Sequence, residues 1–174
     1  MKVEFNTLKT SSKEFEAIIE IPKGSKNKYE FDSNTGLIFL DRILYTSTHY
    51  PHNYGFIPNT LAEDGDSLDV LVISSEVMLA PSYVKCKPIG VLRMIDGGIK
   101  DYKILAVPLS DPFYNIYKDV KELPLHISDE IIHFFRVYKT LETNKETVII
   151  DIEGHEKAEK VIENCIIDFK KSKK

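Results

Sequence analysis

Tryptophan is absent, cysteine occurs twice and no apolar run is long enough to cross a bilayer, and each shortage removes a class of protein. Cys86 and Cys165 stand far apart with no CxxC spacing, so neither a zinc ribbon nor a redox motif is available, and free cytosolic thiols are the expectation. A membrane helix needs about 18 apolar residues or more, and the opening MKVEFNTLK lacks the apolar core of a signal peptide. A cytoplasmic protein with no membrane partner is therefore expected. Positive charge is also in short supply, with 23 Lys and Arg against 27 Asp and Glu and a net charge of -4. No overall positive field exists to collect polyanions, so a nucleic-acid partner is not expected. The basic end, Lys170-Lys171-Ser172-Lys173-Lys174, reads as a solvated tail.

What is present suffices for one core, since 43% of the 174 residues are apolar. No repeat or low-complexity linker divides the chain, so residues 1–174 are read as a single domain. Phe15 to Ile21 is rich in β-formers and stops at Pro22. Tyr29 to Phe31 alternates with charged residues, and Leu37 to Leu44 restarts the chain after Gly36. Leu68 to Ile73 reads as a buried strand, and Ile89 to Ile95 pairs with Tyr102 to Val107 across a turn at Gly97-Gly98. Short strands at this spacing suggest a barrel. The period then changes: Ser128 is read as the N-cap of a helix carrying Ile131, Phe134, Phe135 and Tyr138 on one face. After a strand at Thr147 to Ile152, the set Ala158, Val161, Ile162, Cys165 and Ile166 marks a second amphipathic helix laid over the barrel. The class is α+β, mainly β.

Chemistry concentrates in Asp64-Gly65-Asp66-Ser67-Leu68-Asp69. Three carboxylates in so short a loop repel one another unless cations sit between them. Gly65 lets the loop turn, and the apolar run after Asp69 anchors it to a buried strand. An all-oxygen donor set points to Mg²⁺, Mn²⁺ or Ca²⁺ rather than Zn²⁺. An EF-hand loop does not fit, because its sixth and last positions need Gly and Glu and here hold Asp69 and Ser75. A second cluster lies in Asp96-Gly97-Gly98-Ile99-Lys100-Asp101-Tyr102-Lys103. A hairpin there brings Asp96 back towards Asp101 and sets Asp101 and Lys103 on one face, although DGG is also an ordinary turn. Lys28, Arg42, Tyr50, Tyr54, Tyr138 and Lys139 could complete a site, each being unremarkable alone. Glu20 and Glu30 read equally well as halves of ion pairs. His49 and His52 show no ligand spacing and are taken as structural.

The series Glu20-Ile21-Pro22, Lys28-Tyr29-Glu30, Asp41-Arg42, Tyr50-Pro51-His52-Asn53-Tyr54-Gly55-Phe56, Asp64 to Val70, Asp96 to Lys103 and Tyr138-Lys139 resembles the soluble, family I inorganic pyrophosphatases, in that family's order. Ser67 stands where the family usually has Pro or Glu, and Gly97-Gly98 replaces residues that are sometimes acidic. The resemblance implies a five-stranded OB-like closed barrel flanked by two C-terminal helices, and a homo-hexamer. It implies hydrolysis of pyrophosphate to two orthophosphates by a metal-activated water, with several Mg²⁺ per site and Mn²⁺ or Co²⁺ as substitutes. By the same resemblance Asp64, Asp69 and Asp101 bind activating metals, Asp96 and Glu30 serve metals arriving with substrate, and Asp66 is the general base. Lys28, Arg42, Tyr138 and Lys139 match phosphate-holding positions, and Tyr54 matches a hydroxyl near the reacting group. Glu20, Lys103 and Tyr50 match supporting positions. The competing readings are another two-metal phosphohydrolase, a catalytically inactive scaffold, and an OB-type module for single-stranded nucleic acid. The last needs a positive groove with exposed aromatics.

Overall fold

The protein is described from a computed structural model covering residues 2–142 and 146–174. Its strands are β1 (Phe15–Ile21), β2 (Asn27–Asp32), β3 (Leu37–Ile43), β4 (Asn53–Ile57), β5 (Leu68–Val72), β6 (Ser82–Asp96), β7 (Ile99–Lys100) and β8 (Lys103–Pro108). Helix α1 (Leu125–Val137), strand β9 (Thr147–Gly154) and helix α2 (His155–Ser172) follow. Strands β1, β4, β5, β8 and β6 form a ring, closed by the pairing of β6 with β1. The junction of β5 with β8 is parallel, and the other pairings of the ring are antiparallel. Closure removes the unpaired edges an open sheet would leave. The expected mainly-β barrel with two C-terminal helices is what forms.

Three local expectations change. Strand β4 was not read, because NYGFI looks like part of a turn-rich Tyr-Pro-His-Asn-Tyr-Gly segment. Gly55 is required there: a Cβ at this position would come within 1.7 Å of the Ile18 carbonyl oxygen on β1. Strand β6 begins at Ser82 rather than Ile89, running through Pro88 where the register with β8 shifts. A proline has no N–H for the ladder and is tolerated at such an irregularity. Helix α1 starts at Leu125, and Ser128 lies inside it. Pro124 provides the N-cap residue and its carbonyl accepts from the Ile127 N–H. The first turn is largely exposed, so the apolar period becomes visible only later.

Alternation along the strands separates two cores. Leu68, Val70 and Val72 of β5, with Ile104 and Ala106 of β8, pack in the cluster that contains Ala158, Ile162 and Ile166 of α2. Leu71 and Ile73, with Leu105 and Val107, pack in the cluster that contains Ile131, Phe134, Phe135 and Tyr138 around α1. Period two therefore sends Asp69 and Lys103 to the α1 side, at the ends of two apolar rows. The β2–β3 hairpin stands outside the ring as its own two-stranded sheet.

Candidate active site

The parallel register sets Asp69 of β5 beside Lys103 of β8. The Lys103 Nζ donates to Asp69 Oδ2 at 2.6 Å and to Asp101 Oδ1 at 2.6 Å. With its side chain only 4% exposed, Lys103 pays a desolvation penalty that disfavours the ammonium. The Asp69 and Asp101 carboxylates outweigh that penalty and hold its pKa well above the usual lysine value. The Tyr54 hydroxyl donates to the same Asp69 oxygen at 2.8 Å. Burial, then the Asp69 charge, raises the Tyr54 pKa, so the phenol remains a donor. Tyr50 packs its ring against Tyr54 and Phe134, with centroids 5.0 and 4.7 Å apart.

Gly65 takes a φ of +90°, which lets the acidic loop fold back so that the Asp66 N–H reaches Asp64 Oδ1 at 3.0 Å. Burial first, and then the charges of Asp69, Asp101 and Asp66, raise the Asp64 pKa against that hydrogen bond. The side chain of Asp66 is exposed and makes no hydrogen bond among the described residues. Across the cleft, Lys139 Nζ donates to Asp96 Oδ2 at 2.8 Å, while Asp96 Oδ1 is buried without a hydrogen-bond partner among the described residues. Lys28 pairs with Glu30 at 2.5 Å, an ion pair within one strand face. Glu20 accepts the Phe31 N–H at 2.9 Å, and burial lifts its carboxyl pKa to about 8.

Glu20, Lys28, Glu30, Tyr50, Tyr54, Asp64, Asp66, Asp69, Asp96, Asp101, Lys103, Tyr138 and Lys139 all line one cleft of about 690 Å³. Arg42 does not. It lies opposite Lys28 in the hairpin, but its guanidinium bonds to Glu142 through Nε and to Asp41 through Nη1, at 2.5 Å for the latter. In the sequence Asp41 stands out only as the neighbour of Arg42. No spacing marks Glu142, whose relevance arises only when the hairpin folds against the turn after α1.

Among the described residues no three carboxylate, imidazole or thiolate groups already form a metal cage. The reason at Asp69 and Asp101 is visible, since the Lys103 ammonium stands between them. The donor set nonetheless suits a hard cation: the anionic groups that line the cleft are all carboxylates, and Asp96 keeps a buried Oδ1 with no hydrogen-bond partner among the described residues.

Residues 17–170 match the family model for inorganic pyrophosphatase. The chain is 51% identical over 149 residues to soluble inorganic pyrophosphatase 2 of Chlamydomonas reinhardtii, covering 86% of this chain and 77% of that protein. It is 48% identical over 153 residues to the inorganic pyrophosphatase of Synechocystis sp., covering 88% and 90%. The solved inorganic pyrophosphatase of Helicobacter pylori superposes with a TM-score of 0.92 at 41% identity, covering 96% of this chain and 99% of that one. The chain belongs to the soluble, family I inorganic pyrophosphatases, and is an enzyme of that class.

Proposed function

We propose that this pyrophosphate-hydrolysing enzyme works with several Mg²⁺ ions, with Asp66 as the general base. The observation that carries the reading is the acid-rich cleft in which Asp64, Asp69, Asp96 and Asp101 meet Lys28, Tyr138 and Lys139. Carboxylates outnumber the cations there, so the bare site repels a polyanion. Asp64, Asp69 and Asp101 would hold activating ions, and Asp96 and Glu30 those that accompany substrate. Bound divalent ions supply charge neutralisation and an acidified water, whose pKa falls far below that of bulk water. Lys103 and Tyr54 hold Asp69 in one orientation, which removes reorganisation from the reaction. Lys28, Lys139 and Tyr138 orient the phosphates by hydrogen bonds from opposite walls, with Arg42 contributing from beside Lys28. Asp66, exposed and with no side-chain hydrogen bond among the described residues, accepts the proton of the attacking water at its carboxylate. Glu20 and Tyr50 support the hairpin wall and the Tyr54 ring.

Phosphate release from pyrophosphate, followed with Mg²⁺ and in excess EDTA, tests this. Activity is expected only with the ion, and equal rates in EDTA would overturn the metal requirement. A cytoplasmic homo-hexamer completes the proposal. Sedimentation that finds a fully active monomer at micromolar concentration would refute the assembly.

A further inference from the structure

We infer that Glu142 is a positioning residue for the reaction: it aims the Arg42 guanidinium beside the cleft and clasps the β2–β3 hairpin to the turn after α1. The inference rests on Arg42 being a phosphate-holding residue, as proposed above. The two walls of the cleft come from elements with no sheet pairing between them. One is the hairpin, carrying Lys28, Glu30 and Arg42, and the other is the end of α1, carrying Tyr138 and Lys139. The turn that follows α1 serves both walls. Its Lys139 reaches Asp96, and its Glu142, whose N–H bonds the Lys139 carbonyl at 3.0 Å, reaches Arg42 Nε.

An incidental surface ion pair leaves both partners in water. Glu142 is different, with its side chain only 8% exposed and its Oε2 buried without a partner among the described residues. Burying a carboxylate that is only half satisfied costs stability, and an apolar residue would avoid that cost. What the buried acid provides is direction. With Nε held by Glu142 and Nη1 by Asp41, the planar guanidinium is fixed on two of its edges. No hydrogen bond occupies Nη2 among the described residues, so this nitrogen remains available for a phosphate oxygen.

The test is a double-mutant cycle on pyrophosphate hydrolysis in Mg²⁺, with KM and kcat read separately and thermal melting as the control. Glu142→Ala is expected to raise KM about tenfold with kcat changed less than about threefold. Glu142→Gln keeps the shape and one acceptor, folds with less disturbance, and should raise KM about threefold. In the Arg42→Ala background, Glu142→Ala should change KM by less than about twofold, because nothing remains to aim. Additive effects, or wild-type KM in both Glu142 variants while Arg42→Ala is defective, would overturn the positioning role alone. Wild-type KM in Arg42→Ala would overturn the phosphate-holding reading of Arg42, and the inference with it.

Discussion

Replacing Lys103 with Met tests whether the Lys103 ammonium and a divalent cation compete for Asp69 and Asp101. The two carboxylates share one Nζ at 2.6 Å each, and that Nζ also sits 5.7 Å from the Tyr54 and Phe135 ring centroids. Removing one partner of a buried ion pair costs about 3–5 kcal/mol. The Asp69 and Asp101 side chains are 27% and 14% exposed, so water relieves part of the penalty and the lower end, about 3 kcal/mol, applies. For a domain of this size that is a drop in melting temperature of about 6–12 °C. The drop should appear in EDTA. Millimolar Mg²⁺ should then stabilise the Met variant more than wild type, because an ion at a hundred times its dissociation constant contributes about 2.7 kcal/mol. Differential scanning calorimetry of both proteins, with EDTA and with Mg²⁺, reads all four values. Equal melting in EDTA would show that the pair carries no energy, and a gap unmoved by Mg²⁺ would show that the Lys103 ammonium does not compete with a cation for Asp69 and Asp101.

Glu20 gives a pH signature in the metal-free protein. Its carboxyl keeps its proton up to about pH 8 when folded but loses it near 4.5 when unfolded, so the unfolded state binds fewer protons between those values. This group's contribution makes stability fall as pH rises through that window, and Glu20→Gln should remove that slope in urea melts. An unchanged difference between about pH 5 and pH 8 in the variant would refute the assignment. Asp69→Asn should weaken metal activation and be partly rescued by more Mg²⁺, since an amide oxygen remains a poor ligand. Asp66→Asn should lower turnover by roughly 10²–10⁴-fold with no rescue by Mg²⁺ but some by raised pH. If the Asp66 variant is the one rescued by metal, the two roles are reversed.

The parts of the fold that were legible in the sequence are those where burial shows as an apolar run or an apolar period. Strand β1 runs from Phe15 to Ile21 as read, because its side chains lie in the core almost without a break. The apolar set of α2 was legible for the same reason, with Ala158, Ile162 and Ile166 buried at four-residue steps. Where structure depends on backbone fit instead, pattern is silent. Strand β4 exists because Gly55 lets β1 approach closely, and a glycine reads as a break. The start of α1 depends on Pro124 rather than on the more conspicuous Ser128. The candidate site shows the same division. The acids from Asp64 to Asp101 were recognisable because each occupies a motif position, whereas Lys173 reaches the cleft from a segment that reads as a solvated tail and Glu142 enters only through a tertiary contact 100 residues from Arg42.

The placement of the site follows from register, which a list of motif residues cannot express. Along β5 and just past its end, Asp69, Leu71 and Ile73 face α1, and along β8, Lys103, Leu105 and Val107 do the same. Each strand thus carries a row of apolar residues that ends in one charged side chain, and the parallel pairing brings those two ends together. A slip of β8 by one residue would put Ile104 beside Asp69 and turn Lys103 into the apolar cluster against α2. Both outcomes are costly, since Asp69 loses its cation and a lysine enters a core containing Ala158 and Ile162. The apolar rows therefore specify the pairing, and the pairing builds the charge cluster. The burial that stabilises the barrel also positions Lys103 between two carboxylates, which is how an acid-rich cleft can persist in the folded chain before any divalent ion binds.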